Sequence, residues 1–402
     1  MTRSKYCSGK SWPQIPIGKV ISSTQYGLST LADSFGMVSI VGMKDIHDGL
    51  VHIDPSVRIT IPETRLSQYL LEDGDILLNR TNSPDLVGKS GLFRGNANAV
   101  FASYLVRIKL DRSQADPEFI NQFMNSEMGQ RQIKTLSTRA ISQANLNPTA
   151  FRQHFHVPFP PITVQREIAT ILSTWDATIE KTKQLLTLRE QQKKWLVNRT
   201  AKQSAPTFRL SDFLNPTVRT VPKPTQPYRA LGIRSHGKGT FQRLVENPET
   251  VDMDQLFTVK RDDLIVNITF AWEGAIAIVK PEDESCLVSH RFPTYEFDRN
   301  IAIPEFVKFL INRKSFFSQL ALISPGGAGR NRVLNKKDFL KLTLNLPDIS
   351  QQRRVAEIFG TMNRLIEIET ELLLKLKKQK RGLMQKLLTG QWRVKVADTE
   401  AA

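Results

Sequence analysis

The run Pro160-Pro161-Ile162-Thr163-Val164-Gln165-Arg166-Glu167-Ile168-Ala169 returns 187 residues later as Pro347-Asp348-Ile349-Ser350-Gln351-Gln352-Arg353-Arg354-Val355-Ala356. The match continues without a gap to Val197 in the first copy and Met384 in the second, keeping Ile179 with Ile366, Glu180 with Glu367 and Leu196 with Leu383. Each copy opens on a proline and a short polar turn. It then runs on with no proline and almost no glycine, as a long helix does. Apolar positions step by fours and threes through Ile168, Leu172, Trp175 and Ile179 to Leu186, and again through Val355, Phe359, Met362 and Ile366 to Leu373. That spacing is the seam of a coiled coil, and Gln165 and Gln352 join these residues as expected packing positions. At 1.5 Å per residue such a helix is about 55 Å long, the dimension of a spacer.

Charge predicts how the two helices pair. Glu167, Asp176 and Glu180 lie early in the first copy, and Glu357, Glu367, Glu369 and Glu371 early in the second. Lys193, Lys194, Arg199 and Lys202, and Lys375, Lys377, Lys378, Lys380 and Arg381, lie late. Head-to-tail packing sets acid against base, so an antiparallel pair is expected. Each helix also suits its own macrodipole this way, which explains the same pattern without any pairing.

The repeat extends beyond the helices. Asp75-Ile76-Leu77-Leu78-Asn79 returns as Asp263-Leu264-Ile265-Val266-Asn267, and Pro117-Glu118-Phe119-Ile120 as Pro304-Glu305-Phe306-Val307. The expected division is a globular unit at 1–157, a helix at 158–203, a second unit at 204–345, a second helix at 346–393 and a tail at 394–402. Each unit reads as mixed α+β. Short β-branched runs such as 37–41, 105–110 and 275–279 suggest strands, and Pro117 and Pro304 open short helices.

The 402 residues, 40% of them hydrophobic, suffice for two or three domains with their own cores. Lys and Arg outnumber Asp and Glu by 56 to 39, a net charge of +17. Nucleic acid is the usual partner of such a surplus, a generic basic surface being the alternative. Cys7, Cys286 and six histidines show no paired spacing, which argues against a zinc site or a disulfide framework. No run reaches the apolar length of a membrane span, and no signal-peptide core opens the chain. The expectation is a soluble, cytoplasmic protein with no membrane partner.

The duplicated Ile-x-x-Gln-Arg helix starts, each after a proline-ended strand, and the closing Leu383-Met384-Gln385-Lys386-Leu387-Leu388-Thr389-Gly390 resemble the specificity subunit of Type I restriction-modification systems. The resemblance covers nearly the whole chain. It departs where Trp195-Leu196-Val197-Asn198 ends the first copy. It implies two target recognition domains joined by two conserved helices in a pseudo-two-fold repeat, each domain reading one half of a split double-stranded DNA target. It further implies two methyltransferase subunits carried on the helices, restriction subunits that complete a defence against foreign DNA, and no active site here. S-adenosylmethionine, ATP and magnesium are then expected on the partners, with no cofactor or metal on this chain.

Base readout needs forked side chains on loops that reach a groove. Candidates in the first unit are Asn79, Arg80, Asn82, Lys89, Arg94, Arg139, Ser142, Gln143 and Asn145. In the second they are Arg234, His236, Lys238, Asn267, Arg291, Arg330, Asn331 and Arg332. The glycines of 325–329 let backbone amides approach phosphates, but the loop lacks the Lys-Ser/Thr ending of a phosphate-binding loop. Asn79 and Asn267 could equally cap turns. Phe270, Trp272, Phe292 and Tyr295 are expected in the core. Two other functions remain open at this level: a self-contained magnesium nuclease built on Glu72, Asp73 and Asp75, and a coiled-coil scaffold without a DNA role.

Overall fold

The computed structural model describes residues 7–8, 11–29, 36–83, 86–139, 144–202, 205–326 and 332–395. Its helices are α1 (Glu63–Tyr69), α2 (Pro117–Met124), α3 (Glu127–Leu136), α4 (Pro148–His154), α5 (Ile162–Lys202), α6 (Pro304–Ile311), α7 (Lys314–Leu322), α8 (Lys336–Lys341) and α9 (Ile349–Thr389). The short helices start where side chains can hold the free amides of a first turn. The Asp116 carboxylate accepts from Phe119 ahead of α2, and the Asn147 and Asn335 side chains do the same for α4 and α8. Both long helices run for 41 residues, about 60 Å.

The chain divides into two compact units, Met1–Gln184 with Glu371–Ala402, and Leu185–Thr370. The sequence boundaries separate globular segments from helices, whereas each compact unit takes a head together with half of each long helix.

In the first unit a six-stranded sheet runs in the order Ile21–Tyr26, Leu105–Leu110, Ile76–Asn79, Ser90–Leu92, Leu50–Val51, Ile46–His47. In the second unit a four-stranded sheet runs Leu214–Thr217, Thr294–Phe297, Leu264–Val266, Ile276–Ile278. The first four strands of one sheet match the other in order, and every neighbouring pair among them is antiparallel. The two heads are copies of one design. A five-stranded sheet in the second unit and two three-stranded sheets in the first are where they differ.

A buried glutamine fastens each head to its helix, and the two sites superimpose bond for bond along the repeat. The Gln165 side chain accepts from the Asp116 amide at 2.9 Å and donates to the carbonyls of Gln114 at 3.1 Å and Pro160 at 2.9 Å. Gln352 accepts from the Ile303 amide at 3.0 Å and donates to Ile301 and Pro347, both at 2.8 Å. Each partner lies 187 residues from its counterpart, and both glutamines are 0% exposed. A buried amide with its hydrogen bonds satisfied fixes the register in a way an apolar side chain cannot.

The helices pair antiparallel within each unit. In the first, Ile168, Ala169 and Leu172 share a core with Met384, Leu387, Leu388 and the head residues Phe119, Phe151 and Phe155. Further along, the Lys380 ammonium lies 2.6 Å from Asp176, and the Gln122 amide joins both. In the second unit Arg189 meets Glu369 at 3.2 Å, Val355 packs against the head core, and Phe359 is buried against Phe309 with ring centroids 4.3 Å apart. Ile179 and Met362 are buried, while Trp175, Leu186, Ile366 and Leu373 are half-buried. The repeat partners of the Asp176–Gln122–Lys380 cluster are Asn363, Phe309 and Lys193. Lys193 therefore has no carboxylate in hydrogen-bonding contact among the described residues. Burial, then the nearby Lys308, pushes its ammonium below the ordinary lysine value.

Candidate nucleic-acid interface

In the first head, nonlocal pairing brings three strand ends together. Val106 pairs with Tyr26 and Leu105 with Asn79, so Tyr26, Tyr104 and Arg80 stand at one end of three adjacent strands. The Arg80 amide donates to the Tyr104 carbonyl at 3.2 Å, and the Arg80 carbonyl accepts from Leu146 at 2.8 Å. Beside them Thr81–Asn82, Ala144–Leu146 and Ser137–Arg139 form a small sheet, and Thr81 donates to the Asn145 side chain at 3.2 Å. Arg80, Asn145 and the backbone of Asn82 and Arg139 thus converge. Ser142 and Gln143 lie outside the described residues.

Three first-head candidates go elsewhere. Asn79 is 0% exposed, its backbone locked to Gly88 and Lys89, so its side chain is absent from the reading surface. Lys89 and Arg94 line a different cleft of about 850 Å³ between the head and the long helices of the same unit, together with Lys377, Lys380 and Arg381. Arg94 is held there by Glu118 and faces Asp73 at 3.9 Å. The same cleft carries His47 and His52, stacked with centroids 3.6 Å apart. Burial, then the charge of His47, depresses the His52 imidazole below its ordinary value. Lys183 holds Asp48 at 2.7 Å and keeps its carboxyl below the usual range despite burial.

In the second head the turn Arg234–Gly239 folds onto the loop 270–274. His236 and Gly237 donate to the carbonyls of Glu273 at 2.7 Å and Gly274 at 3.0 Å, and Ser235 donates to the Glu273 carboxylate at 2.7 Å. His236, Gly237 and Gly239 all carry positive φ, and the glycines make the tight turn accessible. The exposed Arg234 lies over the Phe241 ring, 5.0 Å to the centroid, and His236 and Lys238 are exposed beside it. The Ile268 amide donates to Arg291 at 3.0 Å, which brings the exposed Arg291 to the same loop cluster.

Here too several expectations change. Asn267 accepts from the Thr269 amide at 3.0 Å and shapes a turn, the plainer of its two readings. Arg332 is drawn inward, donating to Ser324 at 3.0 Å and Ala321 at 2.7 Å and lying over Trp272. The carbonyls at the end of α7 take its donors, so it does not offer a free fork to a base. Arg330 and Asn331 lie outside the described residues. Among the aromatics, Tyr295 is buried, with its hydroxyl pushed up to about 12 by burial, and Phe292 packs against an inner core. Trp272 is only half-buried beneath Arg332, and Phe270, expected inside, is exposed.

The acids that could suggest a nuclease are tied up structurally. Asp75 is buried beside Arg107 at 3.5 Å and accepts from the Glu72 amide at 3.0 Å. Its carboxyl is pushed up by burial, against the pull of those two partners. Asp263 repeats the arrangement, accepting from Lys260 at 2.9 Å and from Arg219 at 2.6 Å. Asp73 holds the Gly95 amide at 3.0 Å and faces Arg94. No group of three metal-ligating side chains occurs among the described residues.

A family model described as the Type I restriction modification DNA specificity domain matches the chain over residues 36–189 and again over 245–378. The chain belongs to this family. The two matched stretches fall on the two heads and their helices, so the specificity domain occurs twice. Its relatives include the putative type I restriction enzyme MjaX specificity subunit of Methanocaldococcus jannaschii, 22% identical over 83% of this chain and 82% of that protein. The MjaVIII specificity subunit of the same organism is 20% identical over 96% of this chain and 94% of that protein. The crystal structure of a Type-I restriction-modification system S subunit from M. genitalium shares the fold, with a TM-score of 0.59 at 14% identity over 94% of this chain and 96% of that one.

Proposed function

We propose that this chain is the DNA-reading specificity subunit of a Type I restriction-modification complex, each head recognising one part of a bipartite double-stranded target. The duplicated head, fastened to its helix by the same buried glutamine and matched twice by one DNA specificity family, carries this reading. The long helices carry two methyltransferase subunits. Exposed Leu188, Trp195 and Ile368 in one unit and Leu374 in the other supply apolar surface for such partners. Restriction subunits join that assembly. The chemistry, with S-adenosylmethionine, ATP and magnesium, belongs to those partners, and this chain is non-catalytic. No helix among the described residues is long and apolar enough to cross a membrane, in keeping with work on DNA in the cytoplasm.

The test is to map methylated bases in cells carrying the complex, then exchange residues 204–345 for the corresponding segment of another specificity chain. A two-part motif is expected, and only one part changes on exchange. A continuous motif, or a change in both parts, overturns the reading. With a net charge of +17, DNA affinity of the assembled complex falls steeply with salt.

A further inference from the structure

We infer that Arg80 is the guanine-reading residue of the first head and that Tyr26 is its positioning residue. This rests on the DNA-reading function proposed above. The Arg80 guanidinium lies over the Tyr26 ring, 5.0 Å to its centroid, and Nε is buried with no hydrogen-bond partner among the described residues. No carboxylate or carbonyl among those residues engages its terminal nitrogens either. Several other first-head arginines are occupied: Arg58 by the Met37 carbonyl, Arg94 by Glu118, Arg107 by backbone and Asp75, and Arg131 by Glu127, while Arg65, which also lies over a ring, that of Tyr69, is exposed on a short helix away from this strand end.

The environment of Arg80 is also unlike a solvated surface. Tyr26 and Tyr104 are each 52% exposed at the ends of the two strands that follow one another on the same side of the strand that carries it, both large and rigid for an edge in contact with water. With one face against the ring and Nε covered, the guanidinium keeps its Nη1/Nη2 edge as the fork that remains for a ligand. Parallel N–H donors at that spacing match O6 and N7 of guanine in the major groove. Holding the fork by a ring and by its strand end lowers the ordering cost of reading a base. A phosphate would also accept a fixed fork, but it can be held by the point charge of a lysine, whereas the paired acceptors of a guanine edge need two parallel donors.

The experiment uses the assembled complex with methyltransferase subunits and reads methylated motifs at base resolution for the wild type, R80A, R80K, Y26A and Y26F. The wild type yields a bipartite motif, which tests the functional reading by itself. R80A relaxes one guanine position by roughly 5- to 150-fold in preference, in the part that stays unchanged when residues 204–345 are exchanged. R80K relaxes it as well, because the charge remains and the fork is lost. Y26A weakens the same position and Y26F preserves it, since the ring rather than the hydroxyl supports the guanidinium. If R80A fails to assemble, R80K decides. A motif unchanged in R80K, or a uniform loss of binding that lysine rescues, overturns the inference while leaving the bipartite function standing.

Discussion

Replacing Gln352 with leucine keeps most of the side-chain volume and removes three hydrogen bonds, so its cost isolates what the glutamine contributes beyond packing. The Ile303 amide loses its acceptor in a buried site, which costs about 1–3 kcal/mol. The Ile301 and Pro347 carbonyls lose donors in part-buried sites where water can partly compensate, at about 0.5–1.5 kcal/mol each. The total is about 2–6 kcal/mol, a large share of the stability of an ordinary domain. Because the bonds join the start of α6 to the start of α9, the loss should appear first as opening of residues 301–307. Native-state hydrogen exchange reads this directly: the Ile303 amide should exchange roughly 30-fold faster or more in Q352L, since 2 kcal/mol corresponds to about that factor. Q165L should do the same to Asp116 in the first unit. An Ile303 amide that exchanges at the wild-type rate in Q352L refutes the argument that this side chain ties head to helix.

The repeat-related lysines should respond in opposite senses. K380M takes the ammonium from Asp176 and Gln122 and should lower stability by about 1–3 kcal/mol, whereas K193M removes a partly desolvated ammonium that Glu190 and Glu367 only partly offset and should leave stability unchanged or raise it; equal losses in denaturant titrations would refute this. The depressed His52 predicts a pH effect. The unfolded histidine accepts a proton near pH 6.5 that the folded one resists, so the unfolded state binds more protons and the first unit loses stability as pH falls from about 7 to 5. Burial and the charge of His47 oppose protonation of that ring, a hydrogen bond to the His47 backbone with Glu180 and Asp48 favours it, and the first two prevail. Exchange rates over residues 46–52 at both pH values, compared with H52F, check it: the pH dependence should shrink in the variant.

The long helices and the duplication were legible because both rest on local, periodic information. Pro160 and Pro347, the Ile-x-x-Gln-Arg starts and the four-three spacing need no tertiary context. That Gln165 and Gln352 would be buried ties could not be read, since their partners lie about 50 residues upstream and meet them only on folding. The same holds for the reading surface. Tyr26 and Tyr104 are single tyrosines with no periodic signal, brought to Arg80 by cross-strand pairing alone. Asn79 resembles a loop residue because it is polar and ends a strand, yet Gly88 and Lys89 close over its backbone. Arg332 follows a glycine-rich loop, as a phosphate ligand does, but the carbonyls at the end of α7 claim it first. Lys89 and Arg94 are close to Arg80 in sequence, and the turn between strands carries them to another face.

The first unit sets the early part of α5 against the last part of α9, where Met384, Leu387 and Leu388 fall at the repeat positions of Val197, Thr200 and Ala201. A half-length chain ending near residue 202 therefore keeps Lys193 in the place of Lys380 but has Thr200 and Ala201 where the full chain has two leucines. Two such fragments set side by side would regain the charge pair with Asp176 and lose the apolar seam that closes the first unit. The C-terminal helix is specialised for its own partner, and the two halves of the chain are not interchangeable.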